Sequence, residues 1–139
     1  MTQRDLPKDY TPSEDEEFMN ENQQIFFKKQ LQDWREKLLQ EFSQTINQLQ
    51  NSSIPESDII DIASNELDHA IELRARDRGR KLISKIEQAL KRIDKGDYGY
   101  CEETGNPIGV KRLKARPIAT LCIEAQEEHE RRERTHKND

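Results

Sequence analysis

Apolar side chains recur at steps of three and four from Phe27 through Leu31, Trp34, Leu38, Phe42, Ile46 and Leu49, the period of one face of an α-helix. This reads as a helix of about thirty residues from Asn20 onward, a rod of roughly 45 Å. Turn formers and a proline in Asn51-Ser52-Ser53-Ile54-Pro55-Glu56-Ser57 then break the pattern, which makes this segment the tip of a hairpin. A second helix is expected from about Asp58 to Lys95. Ile59, Ile62, Ala63, Leu67, Ala70 and Leu73 supply its first apolar face, and Ile83, Ile86, Leu90 and Ile93 resume the stripe at steps of three, four and three. Between them, Arg74-Ala75-Arg76-Asp77-Arg78-Gly79-Arg80-Lys81 has almost no apolar content, so the seam between the helices is expected to be interrupted there.

Outside the two helices the period fades. Met1 to about Asn20 holds Pro7, Pro12 and the acidic run Glu14-Asp15-Glu16-Glu17, and residues 1–19 read as a loosely ordered segment. Gly96 and Gly99 can take the positive φ that ends a helix. A stretch rich in Glu, Gln and Arg from Glu124 to about His136 reads as a short exposed terminal helix. The expected fold is mainly α: a long antiparallel coiled-coil hairpin over 20–95 with its tip near 51–61, then a small zinc-ribbon-like globular module with a C-terminal helix over 96–139.

Composition narrows the function classes. Hydrophobic residues make up 32% of the 139 residues and charged residues 37%, too little apolar material for a thick core but enough for a helix-pair seam. That seam can be satisfied within one chain, so a monomer is expected. A net charge of -5 opposes indiscriminate binding to nucleic-acid backbone. With no run of about eighteen apolar residues and no charged-then-apolar leader, neither a membrane span nor a secretory signal is expected, and the cytoplasm is the expected compartment. Two cysteines there read as reduced thiols. No catalytic triad, phosphate-cradling glycine loop or metal-hydrolase motif is present, so a non-enzyme is expected.

The spacing of those cysteines carries the most specific chemistry. Cys101 and Thr104, seventeen further residues, then Cys122 and Ala125 reproduce the rhythm C-x2-C-x17-C-x2-C of a zinc ribbon with two ligands replaced. A tetrahedral zinc site needs four sulfur or nitrogen donors; a threonine hydroxyl is a poor donor and an alanine methyl is none. No metal is expected. Zinc held by Cys101 and Cys122 with His129, His136, Glu102 or Glu124 is the disfavoured alternative, because both histidines lie well outside ligand spacing. Tyr98, Tyr100, Ile108, Val110, Leu113, Ile118 and Leu121, with Cys122 as a small hydrophobe, are expected to close the module instead.

Two charged groups have ordinary explanations. Asp58 and Asp61 suit the start of a helix, where carboxylates cap free N–H groups. In the basic run, Glu72 with Arg76 and Asp77 with Lys81 form (i, i+4) pairs. Arginines there also suit bidentate phosphate binding, and Gly79 leaves room for a close approach.

The ribbon residues Tyr98-Gly99-Tyr100-Cys101 through Gly105-Asn106-Pro107-Ile108-Gly109, then Arg112-Leu113-Lys114-Ala115-Arg116-Pro117 and Cys122, resemble the signature of the DksA/TraR family of RNA polymerase-binding transcription factors. Trp34, the tip Asp58-Ile59-Ile60-Asp61-Ile62-Ala63 and Glu72-Leu73-Arg74-Ala75-Arg76-Asp77-Arg78 resemble its long DksA branch. Thr104 and Ala125 are similar to what stands in the zinc-independent paralogues. The resemblance implies a hairpin that enters the polymerase secondary channel, with Asp58, Asp61 and Ala63 as the tip trio near the active-site region. It further implies guanosine tetraphosphate (ppGpp) as effector at Arg78, Lys85, Arg112 and Arg116, and a role in initiation at ribosomal RNA and amino-acid promoters in the stringent response, without DNA sequence recognition. Gln126 stands where the family usually has a lysine, so a weaker nucleotide response is expected. The alternatives are a secondary-channel factor that promotes transcript cleavage and a ribbon that binds nucleic acid by itself.

Overall fold

The computed structural model describes the backbone of residues 6–51 and 59–137 and the side chains of 6–44 and 66–136. Four helices follow in order: α1 Glu21–Asn51, α2 Ile59–Lys95, α3 Val110–Ala115 and α4 Ile123–Lys137. No strand occurs among the described residues; where a ribbon hairpin is expected, one antiparallel bridge joins Tyr100 to Pro107. The chain divides into two compact units, Gln32–Glu87 and the remainder.

The Gln32–Glu87 unit is a helical hairpin. Arg35 meets Glu87 through Nη2 at 3.0 Å and Nε at 3.1 Å, and further along α1 Phe42 meets Arg80, which precedes Glu87, so the helices run antiparallel. On α1, Trp34, Leu38 and Phe42 are half-buried as the period predicts. On α2 the sheltered positions include Glu72, Arg76, Gly79, Ile83 and Ile86, a coiled-coil rhythm that passes straight through the basic run. The expected interruption is therefore corrected. Arg76 and Arg80 lay their guanidinium groups 5.2 and 5.8 Å from the Phe42 ring centroid, and a Cβ at Gly79 would lie 4.0 Å from that ring. An aromatic ring fills the seam where aliphatic partners are missing, and the arginines cover it. Leu67 and Leu73, assigned to the seam by sequence, are 63% and 51% exposed, because they lie out of phase with this rhythm.

The second unit joins 6–31 to 88–137. Asn20 Oδ1 accepts the Gln23 N–H at 2.8 Å, and Gln23 Oε1 accepts the Met19 N–H at 2.7 Å, a reciprocal cap that starts α1. At its other border, Asp97 N–H donates to Arg92 O and Gly96 N–H to Ile93 O, with Gly96 at φ 84, the paired bonds of a Schellman end to α2. Residues 6–19 do not match the expectation of loose order: they form turns with Pro12 and Met19 buried. Their anchors come singly rather than periodically, which is why patterning misses them. Phe18 packs edge-on to Tyr100 with centroids 5.5 Å apart, and the Glu16 carboxylate accepts from Tyr10 Oη, Ser13 N and Gln23 Nε2. Those bonds, led by Gln23, hold the Glu16 carboxyl below its ordinary value.

Tyr98, Ile108, Val110 and Leu113 are buried as expected, while Tyr100, Ile118 and Leu121 are half-buried. Phe27, packed 5.7 Å from Tyr98 between centroids, adds α1 to this core. Tyr98 Oη donates to Pro117 O at 2.7 Å, so its phenol is satisfied inside, and burial pushes its pKa well above the ordinary tyrosine value.

Candidate functional site

The degenerate ribbon positions are brought together in the second unit. Cys101 ends a short extended stretch after Gly99, and its N–H donates to Asn106 O at 2.8 Å while its carbonyl accepts the Gly105 N–H at 2.9 Å. This closes a tight turn over Glu102–Thr104. Cys122 immediately precedes α4, whose first turn its carbonyl caps by accepting the Gln126 N–H at 3.0 Å. Both cysteines are buried free thiols, and Ala125 is likewise buried, at 5% exposure.

Thr104 stands where a second thiolate would, and its hydroxyl does hydrogen-bond work. Its Oγ1 accepts the Asn106 N–H at 3.2 Å and lies 3.7 Å from Cys122 Sγ. Burial alone would raise the Cys101 pKa. The Thr104 hydroxyl and the N–H groups of Cys122, Thr104 and Glu103 outweigh that and bring it from 9.0 down to about 6. Donors aimed at a sulfur thus supply part of the stabilisation a cation would give a thiolate.

The set does not fit a structural metal. Two thiols, a hydroxyl and a methyl fall short of the four donors zinc needs, and among the described residues no three His, Cys, Asp or Glu side chains cluster to hold an ion. His129 meets the Glu103 carboxylate.

The basic positions are divided between the units. Arg78 and Lys85 are exposed on α2 in the hairpin. Seven residues apart, they share one side of the helix about two turns distant from each other. Arg112 and Arg116 belong to the other unit. Arg112 is half-buried, with Nε donating to Leu121 O at 3.1 Å, which fixes its guanidinium plane; Arg116 is exposed just past the end of α3. Gln126 Nε2 donates to Glu130 at 3.3 Å. Asp58 lies outside the described residues, as do the side chains of Asp61 and Ala63.

Sequence reasoning missed three partners here. Arg92 donates to Tyr100 O at 2.8 Å and pairs with Glu102 at 3.6 Å; Glu103 meets His129; and Phe42 receives Arg76 and Arg80. The Glu103–His129 and Phe42–arginine contacts join residues far apart in the chain, and Arg92 reaches its partners across the loop that follows α2, so no helical spacing signals any of them.

Residues 23–93 match the family model for the N-terminal domain of the DnaK suppressor protein DksA, and residues 96–131 that for the prokaryotic dksA/traR C4-type zinc finger. The chain is 58% identical over 131 residues to the RNA polymerase-binding transcription factor DksA of Caulobacter vibrioides strain NA1000, covering 94% of this chain and 92% of that protein. Against the protein of that name from Escherichia coli K12 it is 43% identical over 125 residues, 90% and 83% of the two chains. The solved structure of transcription factor DksA2 from Pseudomonas aeruginosa superposes with a TM-score of 0.80 at 44% identity, covering 84% of this chain and 90% of that one.

Proposed function

As the chain belongs to the DksA/TraR family, we propose that it binds RNA polymerase directly and modulates transcription initiation, without recognising DNA sequence. The observation that carries this reading is identity to curated RNA polymerase-binding factors across nearly the whole chain, hairpin and module alike. The hairpin enters the secondary channel and brings Asp58, Asp61 and Ala63 toward the polymerase active-site region. Carboxylates there act electrostatically on neighbouring polymerase elements and not as a general base. Guanosine tetraphosphate is the effector, held by Arg78 and Lys85 on the helix and by Arg112 and Arg116 on the module. Guanidinium forks suit phosphate oxygens, and the anchored Arg112 needs little further ordering to present its fork. Gln126 lacks the cation of a lysine, so the nucleotide effect is weaker than with lysine there.

In this reading the protein is a non-enzymatic cytoplasmic monomer of the stringent response, acting at ribosomal RNA and amino-acid promoters. The test is purified polymerase binding together with open-complex lifetime at a ribosomal promoter, with and without the nucleotide. Shortened lifetime, enhanced by nucleotide and reduced by Asp58→Asn at unchanged stability, is expected. Asn caps a helix nearly as well as Asp, so unchanged regulation in Asp58→Asn would return that residue to a capping role. Absence of polymerase binding would end the proposal.

A further inference from the structure

The Glu102–Asn106 turn poses a physical problem that the apolar core does not solve. All five of its residues are exposed, and none has an apolar side chain to bury. Asn106 N–H to Thr104 Oγ1 shapes the turn from within, and Cys101 N–H to Asn106 O with Gly105 N–H to Cys101 O closes it on buried Cys101 at its own base, without tying it to another element. Fastening needs contacts that reach out of the turn. Two reach the segment before α4: Glu102 N–H donates to Thr120 O at 2.9 Å, and Thr104 Oγ1 lies 3.7 Å from Cys122 Sγ. The other two are carboxylates. Glu102 pairs with Arg92 Nη1 at 3.6 Å, and Arg92 is itself anchored by its bonds to Tyr100 O and Asp97 O. Glu103, next in the chain, meets His129 Nε2 on α4.

We propose that Glu102 and Glu103 form a metal-free clasp that holds this turn against α2 and α4, where a four-cysteine finger would use its ion. Adjacent residues in the turn take partners on different helices: Arg92 near the C-terminal end of α2 and His129 in the middle of α4. A tetrahedral ion would join the position of Thr104 to that of Ala125, one turn before His129 on α4. The Glu103–His129 contact therefore ties the same turn to the same helix by side chains that need no metal. His129 and Glu103 are 41% and 45% exposed, so water screens the contact and its effect on turn opening is modest.

Backbone amide exchange of Glu102, Gly105 and Asn106, measured in the full chain at one fixed pH, tests the clasp. Glu103→Gln and His129→Gln should each speed exchange by about two- to fivefold, the scale of an exposed side-chain contact, and the double variant should be no faster than the faster single. Glu102→Gln, which leaves the Arg92 backbone bonds in place, should act separately and multiply with Glu103→Gln. In Thr104→Cys/Ala125→Cys with zinc shown to be bound, Glu103→Gln should change exchange less than in the parent chain. Unchanged exchange in both Glu103→Gln and His129→Gln, multiplicative effects between those two, or an undiminished effect in the zinc-bound variant would overturn the proposal.

Discussion

Replacing Gly99 by alanine tests how the segment before α1 is held to the module. Gly99 sits at φ 93, and a Cβ built on it would stand 3.0 Å from Met19 Cγ, 3.1 Å from Met19 Sδ and 3.2 Å from Phe18 Cζ. Two costs follow. An L side chain at positive φ loses about 1–2 kcal/mol wherever it stands. Forcing a methyl into a filled space costs about 1–3 kcal/mol more. Gly96 isolates the first term, since its φ is 84 and a Cβ there meets nothing within 4 Å. Gly96→Ala should therefore cost about 1–2 kcal/mol and Gly99→Ala about 2–5 kcal/mol. The assay is urea unfolding followed by near-ultraviolet tyrosine dichroism, because Tyr10, Tyr98 and Tyr100, all the tyrosines of the chain, belong to the unit that contains Gly99. Met19→Ala removes the two closest atoms, so in that background the excess of Gly99→Ala over Gly96→Ala should shrink. Equal losses for the two glycines would refute the close packing of residues 18 and 19 on the module.

In the hairpin, Phe42→Leu keeps an apolar side chain but removes both ring–guanidinium contacts, each worth about 0.5–1 kcal/mol; an unfolding loss of about 1–2 kcal/mol is expected by Trp34 fluorescence, and no loss would mean the arginines gain nothing from the ring. Glu16 gives the module an acid limit. Its folded carboxyl lies below the ordinary 4.5, so the unfolded chain binds the proton first; the stability this group confers is present above that value and is lost as pH falls through the folded pKa. Thermal melts between neutral and acid pH should show this loss and Glu16→Gln should flatten it, whereas parallel profiles would contradict the linkage. A chelator should leave helicity and melting unchanged, since the thiol pair lacks the donors for a tight ion; a fall of several degrees with metal release would overturn that reading.

The periodic parts of this protein are written locally. The three- and four-residue steps from Phe27 to Phe42 and from Ile83 to Ile93, the turn formers between the helices, and Gly96 at the end of α2 each act over a few residues, so helices, hairpin and helix end can be read from the chain alone. The missing ligands at Thr104 and Ala125 are equally legible, because donor chemistry belongs to residue type. Spatial pairing is not local. Whether Arg76 interrupts a seam or covers Phe42, whether residues 6–19 hang loose or bury Pro12 and Met19, and which partners Glu102 and Glu103 meet all depend on groups outside the reach of local periodicity. Such contacts form only once burial and hydrogen bonding offset the entropy of ordering both partners, a balance that the folded geometry alone decides.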